Sequence, residues 1–132
     1  MSDNAKERDQ LSAAVIGAAM EVHKRIGPGL LESIYSSCLA HELHLRGMSF
    51  RLESELPVQY KGVKIAANLR ADMIVENELI LELKSIAKVE PVHKAQLLSY
   101  LRMSGLARGL LINFNVAVLR DGIFRVANNY RP

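Results

Sequence analysis

Three charged side chains, Asp72, Glu82 and Lys84, stand in an otherwise apolar part of the chain. The segment LILELKSIAKVEP at residues 79–91 opens with a run of leucine and isoleucine, which is typical of a strand. Because successive side chains of a strand point to opposite faces, Glu82 and Lys84 lie on the same face as Ile80. A face open to solvent would accept both charges at no cost, so the pair needs a partner before it indicates chemistry.

The partner is the preceding segment LRADMIV, which we expect to pair with LILELKS as an antiparallel hairpin. A three-residue loop over residues 76–78 sets Asp72 directly opposite Glu82 on one face of the sheet. A two-residue turn would shift the register and separate the two acids across the sheet. The chemistry therefore requires an odd loop or a bulge, and Asn77 suits the left-handed position of such a loop.

Two carboxylates a few ångström apart repel each other and shift each other's pKa unless a cation lies between them. An octahedral site of oxygen ligands for Mg²⁺ or Mn²⁺ resolves this repulsion. Lys84 would then lie beside the ion, where an ammonium group can stabilise a phosphate oxygen or position an attacking water. Metal-assisted hydrolysis of a phosphodiester bond needs such a Lewis acid and such charge neutralisation.

The stretch ADMIVENELILELK resembles the signature of the PD-(D/E)XK nucleases, because Asp72 is followed after nine residues by the triplet ELK. The stretch GLLESIY at residues 29–35 matches G-x-x-E-x-x-Y and resembles the signature of the GxxExxY proteins, a bacterial and archaeal branch of that superfamily. The resemblance extends through VHKRIGPGLLESIYSSCLAHEL, HKAQLLSYL and GLLINF, and so covers about residues 15–115.

This resemblance gives Glu32 a place in the site. In the superfamily a helix before the sheet often supplies an extra acid to the metal site, and Glu32 stands where that acid would be. Glu32 and Tyr35 share one face of the expected helix. The alternative is a surface acid near a helix N-terminus, where a negative charge is favoured in any case.

A second polar pattern follows the proposed catalytic strand. Gln96-x-x-x-Tyr100 resembles the Q-x-x-x-Y element of RecB-like nucleases, and His93 extends the same helical stripe. Lys94 and other residues already provide a different polar face, so we expect this stripe to face the carboxylates rather than solvent.

The resemblance implies a metal-dependent nuclease that takes nucleic acid, with DNA as the expected class. The implied metal ligands for Mg²⁺ or Mn²⁺ are Asp72, Glu82, the backbone carbonyl of Leu83, and Glu32. Lys84 would act on the water and the scissile phosphate. Gln96 and Tyr100 complete the expected site. The alternative is a non-catalytic module that keeps the architecture and binds nucleic acid or a protein partner.

The expected elements form one α/β (α+β) domain over residues 1–132. Helical periodicity runs over residues 9–25 and 30–45, separated by GPG, and a third helix runs from Pro91 to Gly105. Residues 50–85 alternate as strands, GLLINF is a further strand, and a hairpin is expected to turn at Asp121-Gly122. The order is α-α-β-β-β-β-α-β-β, and the resemblance implies a restriction-endonuclease-like three-layer core with a mixed central sheet flanked by helices.

Composition limits the setting. Cys38 is the only cysteine, so no internal disulfide can form and a reducing compartment is expected. The polar N-terminus MSDNAKERDQ does not resemble a signal peptide, and no apolar run reaches about 18 residues, so we expect a cytoplasmic protein without a membrane partner. The net charge of +3 is compatible with a polyanionic partner. A homodimer is a further expectation, because symmetric dimers are the commonest oligomers.

Overall fold

The structure is a computed structural model that describes residues 2–65 and 69–129, with side chains from residue 10 onward. Its helices are α1 (Ser2–Ile26), α2 (Glu32–Leu45) and α3 (Pro91–Ser104). Among the described residues, no helix is both long and apolar enough to cross a membrane. The expected domain boundaries at residues 1 and 132, and the strand content expected at residues 66–68, lie outside the described part.

Within residues 2–65 and 69–129, seven strands follow the first two helices. They are β1 (Phe50–Glu55), β2 (Gln59–Tyr60), β3 (Val63–Lys64), β4 (Arg70–Val75), β5 (Leu79–Lys84), β6 (Arg108–Asn113) and β7 (Ile123–Ala127). Five of them form one sheet in the order β1-β4-β5-β6-β7, and β2 pairs with β3 separately. Among the described strands of this sheet only β5 and β6 are parallel, because α3 connects them as a crossover, and the sheet is therefore mixed.

Helices cover both faces of this sheet. One hydrophobic cluster joins α1 and α2 to the face that carries Leu81 and Leu83, and a second joins α3 to the face that carries Ile80. Because successive side chains of β5 point to opposite faces, β5 contributes to both hydrophobic clusters, as expected for a strand buried on both faces. The result is the three-layer restriction-endonuclease-like α/β fold expected from the sequence.

The hairpin between β4 and β5 has the expected odd loop. Val75 pairs with Leu79, and the pairing continues to Met73 and Leu81. Asn77 adopts a positive φ of 56°, and its neighbour in the loop does the same at 53°. Since an asparagine tolerates the left-handed conformation, the local sequence fixes the register that places the two acids together.

Two details differ from the expected elements. In the described part of the chain, five strands rather than four lie between α2 and α3, because the ribbon is interrupted near Pro57 and resumes as the short β2–β3 hairpin. The prediction of a hairpin that turns at Asp121-Gly122 is wrong. A 3₁₀ helix, Leu119–Gly122, occupies that position and precedes β7, which pairs with β6. The segment before it packs instead against the helical layer, where Leu119 is buried and the Val116 carbonyl accepts a hydrogen bond from His23.

Candidate active site

The two acids occupy the place where β4 and β5 stop pairing as a regular ladder. The register runs as far as Met73 and Leu81, and side chains replace the next backbone bonds. The Asp72 N–H donates to Glu82 Oε2 at 2.8 Å, and the Leu83 N–H donates to Asp72 Oδ2 at 2.8 Å. Each carboxylate is therefore held by the backbone of the opposite strand, and the two groups lie side by side at the end of the hairpin.

Burial disfavours the ionised form of both carboxyl groups. Glu82 is only 4% exposed, and burial, followed by repulsion from Asp72, raises its pKa to about 8. The pKa of Asp72 is also raised, first by burial and further by the charge of Glu32. Lys84 opposes both shifts, so its ammonium group acts electrostatically on the pair. Glu82 is therefore not on the solvent-exposed face of a strand, which was the alternative that the sequence allowed.

This pair suits a divalent cation. Two adjacent carboxylates with raised pKa values, one buried and one half-buried, are stabilised in their ionised form by a positive charge between them, and oxygen ligands are those that Mg²⁺ and Mn²⁺ prefer. Among the described residues, however, no group of three or more histidine, cysteine, aspartate or glutamate side chains converges as a ligand set. An ion held by Asp72 and Glu82 would keep several waters beside any further oxygen ligand, which is usual for Mg²⁺.

Glu32 lies near the pair without joining it. It is the first residue of α2 and is exposed. Its Oε2 accepts a long hydrogen bond of 3.4 Å from the Ser85 N–H, and its charge raises the pKa of Asp72. Glu32 and Asp72 also line one cavity of about 380 Å³, in which Leu83 takes part.

The same cavity contains residues that the sequence did not single out. Ser33, Ser36 and Ser37 line it from α2, and Glu53 lines it from β1. Glu53 has a φ of 45°, although its neighbours in β1 pair regularly with β4. A glutamate in the left-handed region is uncommon within a strand, and that conformation is not visible in a sequence pattern.

The three residues expected to form one polar stripe on α3 lie in three different environments. Tyr100 is 7% exposed, and its pKa is raised by burial and then by the charges of Glu82 and Asp72, so its hydroxyl belongs to the surroundings of the pair. Gln96 is exposed, and within the described part of the chain no hydrogen bond joins it to either acid. The His93 ring instead accepts the Glu90 N–H and caps the start of α3.

Tyr35 supports the loop that precedes Glu32. Its ring is fully buried and stacks on Phe114, with centroids 4.4 Å apart and planes 7° from parallel. Its hydroxyl donates to the Gly27 carbonyl and accepts the Leu30 N–H. The tyrosine of the G-x-x-E-x-x-Y pattern therefore holds the GPG loop, and with it the start of α2, against the core.

The segment after Lys84 is fixed from two sides. The Ser85 hydroxyl donates to the Leu30 carbonyl at 2.5 Å. The Asn113 side chain, which is 2% exposed, accepts the Ile86 N–H and donates to the Ile86 carbonyl. The sequence did not predict a role in the site for either residue. The available signal for Asn113 was an amide near the end of the otherwise apolar stretch GLLINF.

The sequence model of the PD-(D/E)XK nuclease superfamily matches residues 9–126. This span includes Asp72, Glu82 and Lys84 together with nearly all of the described elements, and it covers well over half of the chain. No curated protein and no solved structure shows significant similarity to the chain.

Proposed function

Because the chain belongs to the PD-(D/E)XK nuclease superfamily, we propose that it is a metal-dependent nuclease that hydrolyses phosphodiester bonds, with DNA as the first substrate to test. The family supports a nuclease-type function in general. The observation that carries the specific proposal is the reciprocal hydrogen bonding that holds Asp72 and Glu82 side by side. The G-x-x-E-x-x-Y match further supports a place in the GxxExxY branch.

The reaction adds water across a phosphodiester. A new P–O bond forms from the water, the ester P–O bond breaks, and the departing oxygen takes up a proton. A bound Mg²⁺ or Mn²⁺ supplies the Lewis acid for this step. Asp72 and Glu82 would hold the ion, and the Leu83 carbonyl and Glu32 are the further ligands that we propose.

Three other side chains have proposed roles. Lys84 stabilises negative charge on the phosphate, which is consistent with its effect on the pKa of both carboxyls. Tyr100 remains a neutral phenol beside the pair and offers one hydroxyl donor. Gln96 is exposed on the same helix, and its neutral amide is proposed to donate to a phosphate oxygen of a bound strand.

The test is cleavage of labelled single-stranded DNA, duplex DNA and RNA with Mg²⁺, with Mn²⁺ and with a chelator. We expect cleavage of at least one substrate by the wild type with a divalent ion only. Asp72→Asn and Glu82→Gln keep the size of each side chain and remove its charge, so each should lower the rate by roughly 100-fold or more.

Glu78→Gln is the matched control, because Glu78 is an exposed acid in the loop of the same hairpin. It should retain the wild-type rate. Absence of cleavage in every substrate and ion would contradict the nuclease proposal. If the protein then bound DNA equally well with and without a divalent ion, the non-catalytic binding module would be the better description.

Two further expectations belong with this proposal. We infer a cytoplasmic location, because the free Cys38 is half-buried and suits a reducing compartment. We also propose a homodimer, which would present two sites to a duplex. Sedimentation or light scattering of the purified chain tests the second point directly.

A further inference from the structure

A short hairpin extends the β1–β4 ribbon beyond the sheet at the end that carries Asp72. We call residues 59–64, which form β2, its turn and β3, the wing. Backbone bonds lie on either side of the interruption: the Leu56 N–H donates to the Leu69 carbonyl beside the sheet, and the Ile65 N–H donates to the Val58 carbonyl at the base of the wing. The wing is therefore a paired hairpin that follows the β1–β4 ribbon along the chain.

The tip of the wing has a defined turn. Lys61 and Gly62 adopt φ values of 48° and 81°, and Tyr60 pairs with Val63 across them. Two central residues in the left-handed region are what a two-residue type I′ turn requires. The turn fixes the direction of the residues on either side of it.

The wing lies within reach of the carboxylate pair. Ser54 of β1 pairs with Ala71, the neighbour of Asp72. Tyr60 follows Ser54 by six residues, so the two are at most about 20 Å apart. That length corresponds to about six nucleotides at 3.4 Å each. A nucleic acid with its scissile phosphate at the pair can therefore reach the wing within one short site.

The surface of the wing is exposed and amphipathic. Tyr60 is 63% exposed and Val63 is 60% exposed, while Lys61 and Lys64 are exposed as well. The Lys61 ammonium lies 5.5 Å from the centroid of the Tyr60 ring. An exposed aromatic ring beside two cations is a combination that binds phosphates and stacks on bases or sugars.

The wing and its attachment carry a local excess of positive charge. Residues 56–70 contain three basic residues and no acidic one, whereas the full chain contains 17 basic and 14 acidic residues. The segment is therefore locally positive, which favours contact with a polyanion.

The base of the wing also forms one wall of a cleft. Pro57 and Gln59 face Ser99, Arg102 and Met103 of α3 across a cavity of about 480 Å³. Arg102 adds a further cation, and Ser99 and Gln59 add neutral hydrogen-bond donors. The basic surface of the wing thus continues onto α3, the helix that carries Tyr100.

We propose that the wing binds the phosphodiester backbone of the nucleic acid next to the scissile bond. Lys61 and Lys64 pair with phosphates, and the ring of Tyr60 packs against a base or sugar of the same strand. This inference rests on the proposed nuclease function for the identity of the ligand. It adds a binding surface outside the carboxylate site and makes affinity depend on salt.

The experiment measures binding apart from cleavage. Fluorescence anisotropy follows a labelled DNA duplex and the corresponding single strand with the Glu82→Gln protein, without divalent ions and over a salt series. In this background Lys61→Asn with Lys64→Gln removes two charges, and asparagine keeps the left-handed turn. The slope of log K against log salt should fall in magnitude by about 1.8 for the duplex or about 1.4 for the single strand.

Lys24→Gln with Lys94→Gln is the matched control, because it removes the same charge from α1 and from the opposite edge of the sheet, where Lys94 lies over the Phe124 ring. The control should keep the slope of its parent. In a second comparison, Tyr60→Ala should weaken binding about fivefold or more, whereas Tyr60→Phe should not.

The outcomes separate the wing from the nuclease function. An unchanged slope in the wing variant, an equal change in the control, or no binding of either DNA by the parent would overturn the inference. If the wild type cleaves DNA and the wing variant keeps its slope, the nuclease function stands and the wing proposal fails. If the slope falls as expected and the wild type cleaves nothing, the wing proposal stands and the nuclease function fails.

Discussion

Glu82 is a carboxyl group that two strands hold where an ionised acid is costly. It is buried, it lies beside Asp72, and its hydrogen bond from the Asp72 N–H only partly offsets that environment. Lys84 is the nearby cation that acts on both acids. At the scale of single residues, the site therefore has excess negative charge whenever both acids ionise, and it favours a cation and a phosphate arriving together.

Lys84→Met tests the role of that cation. Methionine keeps an unbranched side chain and removes the charge, so we expect the cleavage rate to fall by roughly 100-fold or more while the fold is retained. Removal of Lys84 should also raise the pKa of both acids, and the pH at which activity appears should move upward. Lys88→Met is the control, because Lys88 is exposed four residues further on; an equal loss in Lys88→Met would contradict a specific role for Lys84.

At the scale of elements, the site depends on how closely α3 approaches the sheet. Gly109 of β6 lies directly under Leu97, and a Cβ at this glycine would come within 2.8 Å of that side chain. The distance between α3 and the sheet above Glu82 therefore depends on the absence of a side chain at Gly109. This close approach is what buries Tyr100 and the second hydrophobic cluster.

Gly109→Ala should destabilise the protein by about 1–3 kcal/mol, because Leu97 must move within a packed core. Gly17→Ala is the contrasting variant: Gly17 lies inside α1, and its nearest new contact is the end of Arg46 at 3.4 Å. Since alanine favours a helix, that change should stabilise by about 0.5–1 kcal/mol. Urea unfolding of both variants measures the difference, and equal effects would rule out a close contact at Gly109.

At the scale of the whole molecule, the buried acid links stability to pH. A carboxyl whose pKa is raised in the folded state binds protons more tightly there than in the unfolded chain, so stability falls as the pH rises through this range. For Glu82 the range runs from its ordinary value of 4.5 to about 8. A cation bound by the ionised pair reverses this loss, because it binds the folded state only.

Without divalent ions, we expect the melting temperature of the wild type to fall between pH 5 and pH 8. The ionisation of Glu82 should lower the free energy of unfolding by an amount on the order of a few kcal/mol over this range. Millimolar Mg²⁺ or Mn²⁺ should restore stability at pH 8. Glu82→Gln should lose both effects, and Glu78→Gln should retain both. A pH profile that is the same in the wild type and in Glu82→Gln would show that Glu82 ionises normally in the folded protein.

Much of the site could be predicted because its geometry is local. The three-residue loop with Asn77 sets the register of β4 and β5, and that register alone brings Asp72 and Glu82 together. Alternation along β5 places Glu82 on the face opposite Leu83. These relations involve residues within about a dozen positions of one another, where strand periodicity and turn chemistry dominate.

The remaining features depend on distant contacts. Tyr35 finds its stacking partner in Phe114 and its hydroxyl partners in the GPG loop, which no periodicity along α2 reveals. The hairpin predicted over residues 116–128 is absent for the same reason, since the first half of this segment packs against α1 and its neighbours, where the Val116 carbonyl bonds to His23. Gln96 shares a helical stripe with Tyr100, yet only Tyr100 is covered.

The sequence indicated the fold class through the family resemblance and identified the two acids as candidates, and it left the hairpin loop open between two and three residues. Only the tertiary structure decided that Glu82 is buried, that each acid is held by the backbone of the opposite strand, and that Glu32 stays beside the pair. The physical reason is that periodicity reports which face a residue occupies. Burial and electrostatic environment depend on what the rest of the chain packs against that face.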